Sequence, residues 1–265
     1  MKRHSRWVLR VLGLGYILLL LLLPLALIFY KTFENGIAPP LDAITSPDGL
    51  HALKLTLLMV AIAVPLNTVF GVGCALLLVR SGWRGNAVID AVINLPFAIS
   101  PVVIGLSLFL LYGTTGWLEP GLAEAGIKVL FSVPGMVLAS VFVSLPFVVR
   151  ETVPVLKEIG TEQEQAASTL GASAWQTFWR VTLPAIRWGV AYGVVLTTAR
   201  VLGEFGAVSV VSGSISGQTQ TLPLFVEKQY QNFNLPGAFG ASVLLAMLAL
   251  ATLLAMNLLR RREDA

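Results

Sequence analysis

The 265 residues include one cysteine, two histidines and few charges, 12% of the chain against 56% hydrophobic residues. A lone thiol, Cys74, makes no intramolecular disulfide and no metal cluster, and its place in an apolar run reads as packing. His4 and His51 lie far apart and fit neither a ligand-spaced pair nor a nucleophile triad. The net charge of +4 is spread in short basic clusters between apolar runs, without the basic stripe and interleaved aromatics of a nucleic-acid surface. Metal chemistry, acyl transfer and nucleic-acid binding are therefore poorly supported. With so little charge, a soluble core cannot absorb the apolar surface, and a mean hydropathy of +0.80 places the chain among polytopic membrane proteins.

What the sequence does have is long uncharged runs. Hydrocarbon about 30 Å thick takes roughly 20 residues at helical rise. Six windows meet that length, 11–30, 55–79, 91–112, 133–149, 188–211 and 237–259, and only the fifth carries charge, at Arg200 and Glu204. Backbone in lipid must bond to itself, so the expected fold is all-α with about six transmembrane helices. The first window follows Lys2, Arg3, Arg6 and Arg10 as a secretory signal would, but it is long enough to span and lacks a small-x-small cleavage site. It reads as a retained helix. Pro24, Pro65, Pro96, Pro101 and Pro146 punctuate the spans, which membrane helices tolerate when neighbours satisfy the freed carbonyls. Gly189 and Gly193 form a GxxxG pair suited to close helix packing. The chain divides into an N-terminal helix and extracytoplasmic loop (1–50), a core (51–259) with a cytoplasmic segment at 150–187, and a tail (260–265).

Orientation follows from the basic residues. With alternating spans, Lys2, Arg3, Arg6, Arg10, Arg80, Arg84, Arg150, Lys157, Arg180, Arg187 and Arg260 to Arg262 fall on one side. Only Lys31, Lys54, Lys128 and Lys228 fall on the other. The positive-inside rule makes the first side cytoplasmic, with both termini on it.

The segment 150–187 is more than a connector. Ala166, Ala167, Leu170 and Ala174 recur at helical spacing as a shallow apolar stripe, and Glu158, Glu162 and Glu164 gather towards its N-terminal side, where a helix dipole favours them. Gly171 ends or interrupts the first helix, and Pro184 suits the opening turn of the next. Such a helix fits either a groove of another protein or a membrane surface. Within it, Gln165-Ala166-Ala167, then Gly171, then Val181, Thr182 and Leu183-Pro184 keep every interval of the cytoplasmic signature of ABC importer permeases, which the segment resembles. Gln165 stands where that family usually has Glu, with Glu164 beside it to substitute in part.

The resemblance implies a type I ABC importer permease fold and a coupling helix seated in a cleft of a separate ATPase. The residues in that role are Glu164, Gln165, Ala166, Ala167, Leu170, Gly171, Leu183 and Pro184. The sequence carries no G-x-x-x-x-G-K-[ST] loop, so this chain is expected to bind no cofactor, with ATP and Mg²⁺ held by the partner. Two further stretches, "NLPFAISPVVIGLSLFLLYG" and "ARVLGEFGAVSVVSGSISGQTQTLPLFV", resemble the oxyanion branch that serves sulfate, thiosulfate, molybdate and tungstate, and "GEFGAVSVVSGSI" with "TQTLPLFVE" is most similar to its CysW-type sulfate/thiosulfate subunits. The implied partners are a second, homologous permease, two ATPase subunits acting through 160–175, the lipid bilayer, and an extracytoplasmic sulfate-binding protein received by loops 31–54, 113–132 and 212–236.

Arg200 and Glu204 lie one turn apart on one face, where each charge alone costs about 2.5–3.5 kcal/mol at the centre of a membrane helix. The pair reads either as a structural lock on the fifth helix or as positive potential along an anion path, with Glu204 holding Arg200. Ser212, Ser214, Ser216 and Thr219 read either as donors to an entering oxyanion or as a flexible loop. Two rivals stay open. A molybdate or tungstate permease shares the architecture, whereas an ion-driven secondary transporter would leave the cytoplasmic signature unexplained.

Overall fold

The computed structural model describes residues 3–34, 36–114 and 116–263, and Lys2 and the last two tail residues lie outside that range. Every regular element among the described residues is helical. α1 runs from Arg3–Ile17 through a π-helical turn, Leu18–Leu22, into Leu23–Phe33. It is followed by α2 (Ala38–Thr45), α3 (Pro47–Arg80), α4 (Asn86–Ala98), α5 (Pro101–Tyr112), α6 (Glu119–Glu124), α7 (Val133–Ile159) and α8 (Glu162–Thr169). The remainder is α9 (Ala174–Leu202), containing a π-helical turn at Phe178–Thr182, then α10 (Gly206–Ser212), α11 (Leu222–Gln231) and α12 (Leu235–Glu263).

Local sequence chemistry accounts for where these helices start. Ser46 caps α3 by accepting from the Gly49 amide at 3.1 Å, with Pro47 in the first turn. Ser173 and Gln176 close a capping box at the head of α9. Both π-helical turns lie just before a proline, Pro24 and Pro184. A proline has no amide to donate and crowds the carbonyl four residues back, and the wider turn makes room for it. Pro184 therefore lies inside α9 and does not open a new helix, so this element begins at Ala174, well before the expected start at 188.

Two apolar clusters stack at different depths. One joins Leu55, Met59 and Ala63 of α3 with Met136, Ala139 and Val143 of α7, Val201 of α9, Ile104 and Leu108 of α5, and Val208 and Val211 of α10. The other joins Val72 and Ala75 of α3, Ile93 of α4, Val148 and Leu156 of α7, and Ile186 of α9. The continuous helices α3, α7 and α9 pass through both. A third cluster, Ala52, Leu222, Phe225 and Ala241, holds α11 and the start of α12 against the head of α3. α1 lies against α12 with its apolar surface open on the remaining sides, as suits a helix in lipid.

Helices α3, α7 and α9 meet closely around one residue. A methyl group on Gly71 would fall 2.6 Å from Val148 Cβ, and one on Gly193 would fall 2.8 Å from Val148 Cα. The GxxxG pair thus seats α9 on α7, the packing role expected of it. Asn67 adds a bond across the interface, its amide donating to Ser144 Oγ at 2.7 Å.

Two expected spans are broken. α4 and α5 are bent by 110° at Ile99–Ser100, and α9 and α10 by 53° at 203–205. Ser100 precedes Pro101, and the proline ring drives the preceding residue out of helical geometry, to φ −60° and ψ 136°. α4 starts beside the end of α3 in the deeper cluster and α5 ends in the other, the course of a span broken at its middle. The breaks adjoin each other: a methyl group on Gly206 would lie 3.0 Å from Pro101 Cβ, and one on Gly105 would lie 2.7 Å from the Ala207 carbonyl oxygen. Four helices among the described residues are long and apolar enough to cross a membrane, and six spans result when each bent pair counts as one. The tail continues α12 as helix through Glu263, and the loops at 31–54 and 212–236 contain α2 and α11.

Candidate functional sites

The first site is the exposed helix α8 at the end of the bundle where α3 and α7 terminate. None of its residues is buried, and Leu170 just beyond it is 89% exposed. Its C-terminus closes in a Schellman arrangement, with the Gly171 amide donating to the Ser168 carbonyl at 3.0 Å and the Ala172 amide to the Ala167 carbonyl at 3.0 Å. Gly171 takes φ +82°, a conformation that favours glycine. Ala166, Ala167 and Leu170 line an open cleft of ≈ 840 Å³ with Arg180, Val181 and Pro184. Leu183 turns the other way and packs against the deeper apolar cluster.

Glu164 and Gln165 have separate roles. The Glu164 carboxylate pairs with Arg80 at 3.0 Å and accepts from Thr182 Oγ1 at 2.9 Å, and Arg80 also donates to the Gly160 carbonyl at 2.6 Å. One acidic side chain so ties α8 to the end of α3 and to the π-helical turn of α9. Gln165 stays exposed and donates within its own helix, to Thr161 Oγ1 at 3.1 Å. In the sequence Arg80 carries only an orienting charge. Its bridging role depends on residues 80 to 84 positions away, a distance that no local pattern encodes.

The second site is the break between α9 and α10. Arg200 Nη1 lies 2.5 Å from Glu204 Oε2, with the Arg200 side chain 28% exposed and the Glu204 side chain 2% exposed. The other carboxylate oxygen, Oε1, accepts from the Ala207 amide at 2.9 Å, in the first turn of α10. Ser140 Oγ and Thr221 Oγ1 are buried beside Glu204 around a small void of ≈ 10 Å³.

The hydroxyls beyond α10 shape their own loop. Thr219 Oγ1 donates to the Ser212 carbonyl at 2.6 Å and accepts from the Ile215 amide at 3.2 Å, while Ser212 Oγ accepts from the Ser214 amide at 3.1 Å. Ser216 donates to Gln220 and accepts from Lys228. The loop is fastened to α3 through the Leu222 amide on Thr56 Oγ1, 2.8 Å, and through His51, whose Nε2 is 3.1 Å from the Gln218 carbonyl. In this conformation Ser212, Ser216 and Thr219 are engaged with the loop itself, and Ser214 takes a left-handed φ of +52°. Among the described residues no group of three or more His, Cys, Asp or Glu is gathered as a metal site.

Several helices long and apolar enough to cross a membrane, an ion pair held among them and a helix left exposed at one end define a class, a polytopic integral membrane protein. Residues 67–264 match the model of the family described as binding-protein-dependent transport system inner membrane component, and the chain belongs to that family. It is 53% identical over 257 residues, 97% of this chain and 93% of the relative, to the sulfate transport system permease protein CysW of Synechocystis sp.. To the sulfate transport system permease protein CysT of Escherichia coli it is 39% identical over 251 residues, 94% of this chain and 90% of that one. Among solved structures, a chain of the bacterial alginate ABC transporter in complex with alginate pentasaccharide-bound periplasmic protein superposes with a TM-score of 0.82 at 18% identity, covering 98% of this chain and 96% of that one. The fold is that of a type I ABC importer permease.

Proposed function

We propose that this chain is the membrane permease subunit of an ATP-driven sulfate/thiosulfate importer, forming half of the translocation pathway and leaving ATP hydrolysis to a separate subunit. The observation that carries the reading is the exposed helix α8, closed by Gly171 and tied by Glu164 to both α3 and α9. Motion imposed on it from outside is delivered directly to two helices that pass through both core clusters. Identity above 50% along nearly the whole length of a sulfate permease supports the cargo.

The partners follow the same logic. Two ATPase subunits carrying ATP and Mg²⁺ seat the coupling face made by Glu164, Gln165, Ala166, Ala167, Leu170 and Gly171, with Pro184 at the edge of the cleft and Leu183 anchoring it from within. A second, homologous permease completes the pathway, a pairing supported by full-length similarity to permeases of two kinds, CysW and CysT. A sulfate-binding protein docks on the opposite side, as the periplasmic protein in the related alginate complex suggests. Both termini face the cytoplasm. Arg200 offers positive charge to the passing anion, Glu204 holds it in place, and the loop carrying Ser212, Ser214, Ser216 and Thr219 forms the outer rim of the passage.

The test is labelled sulfate uptake in cells lacking their own sulfate importers that express this chain with its partner permease, ATPase and binding protein. Energy-dependent uptake that thiosulfate inhibits and molybdate barely affects is the expected result. Uptake blocked by trace molybdate would reassign the cargo, and uptake that persists without ATP would remove the ATPase from the scheme.

A further inference from the structure

A second arginine stands inside a helix long and apolar enough to cross a membrane. By sequence Arg150 stands at the start of the cytoplasmic segment, but α7 continues past it for nine residues to Ile159. At helical rise that places it about 15 Å short of Gly160, the level where Arg80 closes the end of the bundle. Its neighbours in the helix fix the same depth: Val148 is buried between Gly71 and Gly193, and the Glu151 carbonyl abuts Gly189 in the fifth span.

Arg150 is exposed, yet it is held in place. Its Nε donates to Asn94 Oδ1 at 3.0 Å, and its guanidinium lies 4.6 Å from the centre of the Phe97 ring, which itself packs edge-on against Phe147. Asn94 in turn donates to the Asp90 carboxylate at 3.1 Å. Asp90 therefore meets Arg150 only through an amide, and among the described residues no carboxylate lies in ion-pair range of the guanidinium. A charge in a membrane-crossing helix faces a water-filled cavity, a protein partner or, near the helix end, the headgroup interface. An arginine fixed by its Nε keeps its remaining donors for planar, two-point contact with a tetrahedral oxyanion.

We propose that Arg150 is an inner station for the transported oxyanion, on a water-filled face of the pathway formed by α4 and α7, with Asn94 and Phe97 as its positioning residues. This rests on the transport reading above. Arg200 lies nearer the other end of the bundle, so the anion meets two cationic stops in sequence. Asp90, one turn below Asn94 towards the start of α4, then repels the anion as it leaves. The same tetrahedral oxyanion chemistry is offered by phospholipid headgroups, and the experiment separates the two sources.

The assembled importer is reconstituted in phospholipid vesicles from a chain carrying Cys74→Ala and Ala98→Cys, which puts a thiol one turn beyond Asn94 on its face of α4. Membrane-impermeant methanethiosulfonates, one anionic and one cationic, are added from the cytoplasmic side, with Val69→Cys on the outer face of α3 as the lipid-facing control. The expected result is that the thiol at position 98 reacts at least about tenfold faster than the one at 69, and that sulfate slows it. Arg150→Ala should cut the anionic-to-cationic rate ratio by about tenfold, with Arg150→Lys restoring most of it. Equal rates at 98 and 69 would overturn the water-filled face. An unchanged ratio in Arg150→Ala would overturn the station and leave Arg150 to lipid headgroups, whereas no slowing by sulfate with the ratio effect intact would overturn sulfate as its occupant. Because the reagent ratio does not depend on which anion is carried, a failed uptake assay with the ratio intact would remove sulfate as cargo and leave the station standing.

Discussion

Single residues at both sites do two tasks at once, and that makes them sensitive. Gly171 closes α8 and leaves the docking face bare of side chain at its end, with φ +82° and open space around its Cα. Any other residue there strains the backbone by about 1–2 kcal/mol, and a long charged one also stands where the ATPase must seat. Gly171→Arg should therefore insert normally in the membrane but lose substrate-stimulated ATP hydrolysis and co-purification with the ATPase, with Gly171→Ala intermediate. Glu204 neutralises Arg200 with one oxygen and caps α10 with the other. Exchanging the pair, Arg200→Glu with Glu204→Arg, keeps opposite charges together but removes the cap, which is worth about 1 kcal/mol. A folded protein without transport is expected, seen as a monodisperse complex with uptake near background. Uptake retained by the exchanged pair would reduce the arginine to a structural lock.

Elements were legible where the pattern was long, and blurred where a proline or a partner decided the outcome. The spans at 55–79 and 237–259 lie inside α3 and α12, because an uncharged run of that length allows few alternatives. The bend at Ile99–Ser100 was present in the sequence as Ser100-Pro101, but hydropathy averages over it and reports one span. The uncharged run ends at Val149 because a charge follows, whereas α7 runs on to Ile159 with Arg150 met by Asn94 and Phe97 from another helix. Gly189 and Gly193 mark a close helix approach in the sequence, but that its partner is α7 shows only in the fold. Filling it should be costly: Gly193→Leu pushes against the Val148 backbone, and overpacking of this kind costs about 1–3 kcal/mol or more. The expected signs are a lower thermal midpoint in detergent and loss of the assembled complex, with Gly73→Leu, which faces open space, as the tolerated comparison.

Across the whole molecule, the proposed arrangement of six crossings puts the two ends of the described chain on one side, which the positive-inside rule would assign to the cytoplasm. Reporters fused after Ala265 and inserted at Gly121 should score on opposite sides, active respectively in a cytoplasm-dependent and an export-dependent assay. The same side for both would break the six-crossing topology. What the sequence could not convey at this scale is depth: six apolar windows give a count and an orientation but not which charged residues lie level with which glycines. That registry emerges only when three helices meet at Val148.

The contact between the two broken spans has a kinematic consequence. Pro101 opens α5 and Gly206 opens α10, the two touch, and each half-helix packs on the other through Gly105 and Ala207. A swing at either joint would press on the other, so the two are expected to move together as one hinge. Substitutions at Pro101 and Gly206 should accordingly fail to add: once either joint is stiffened, stiffening the other changes little.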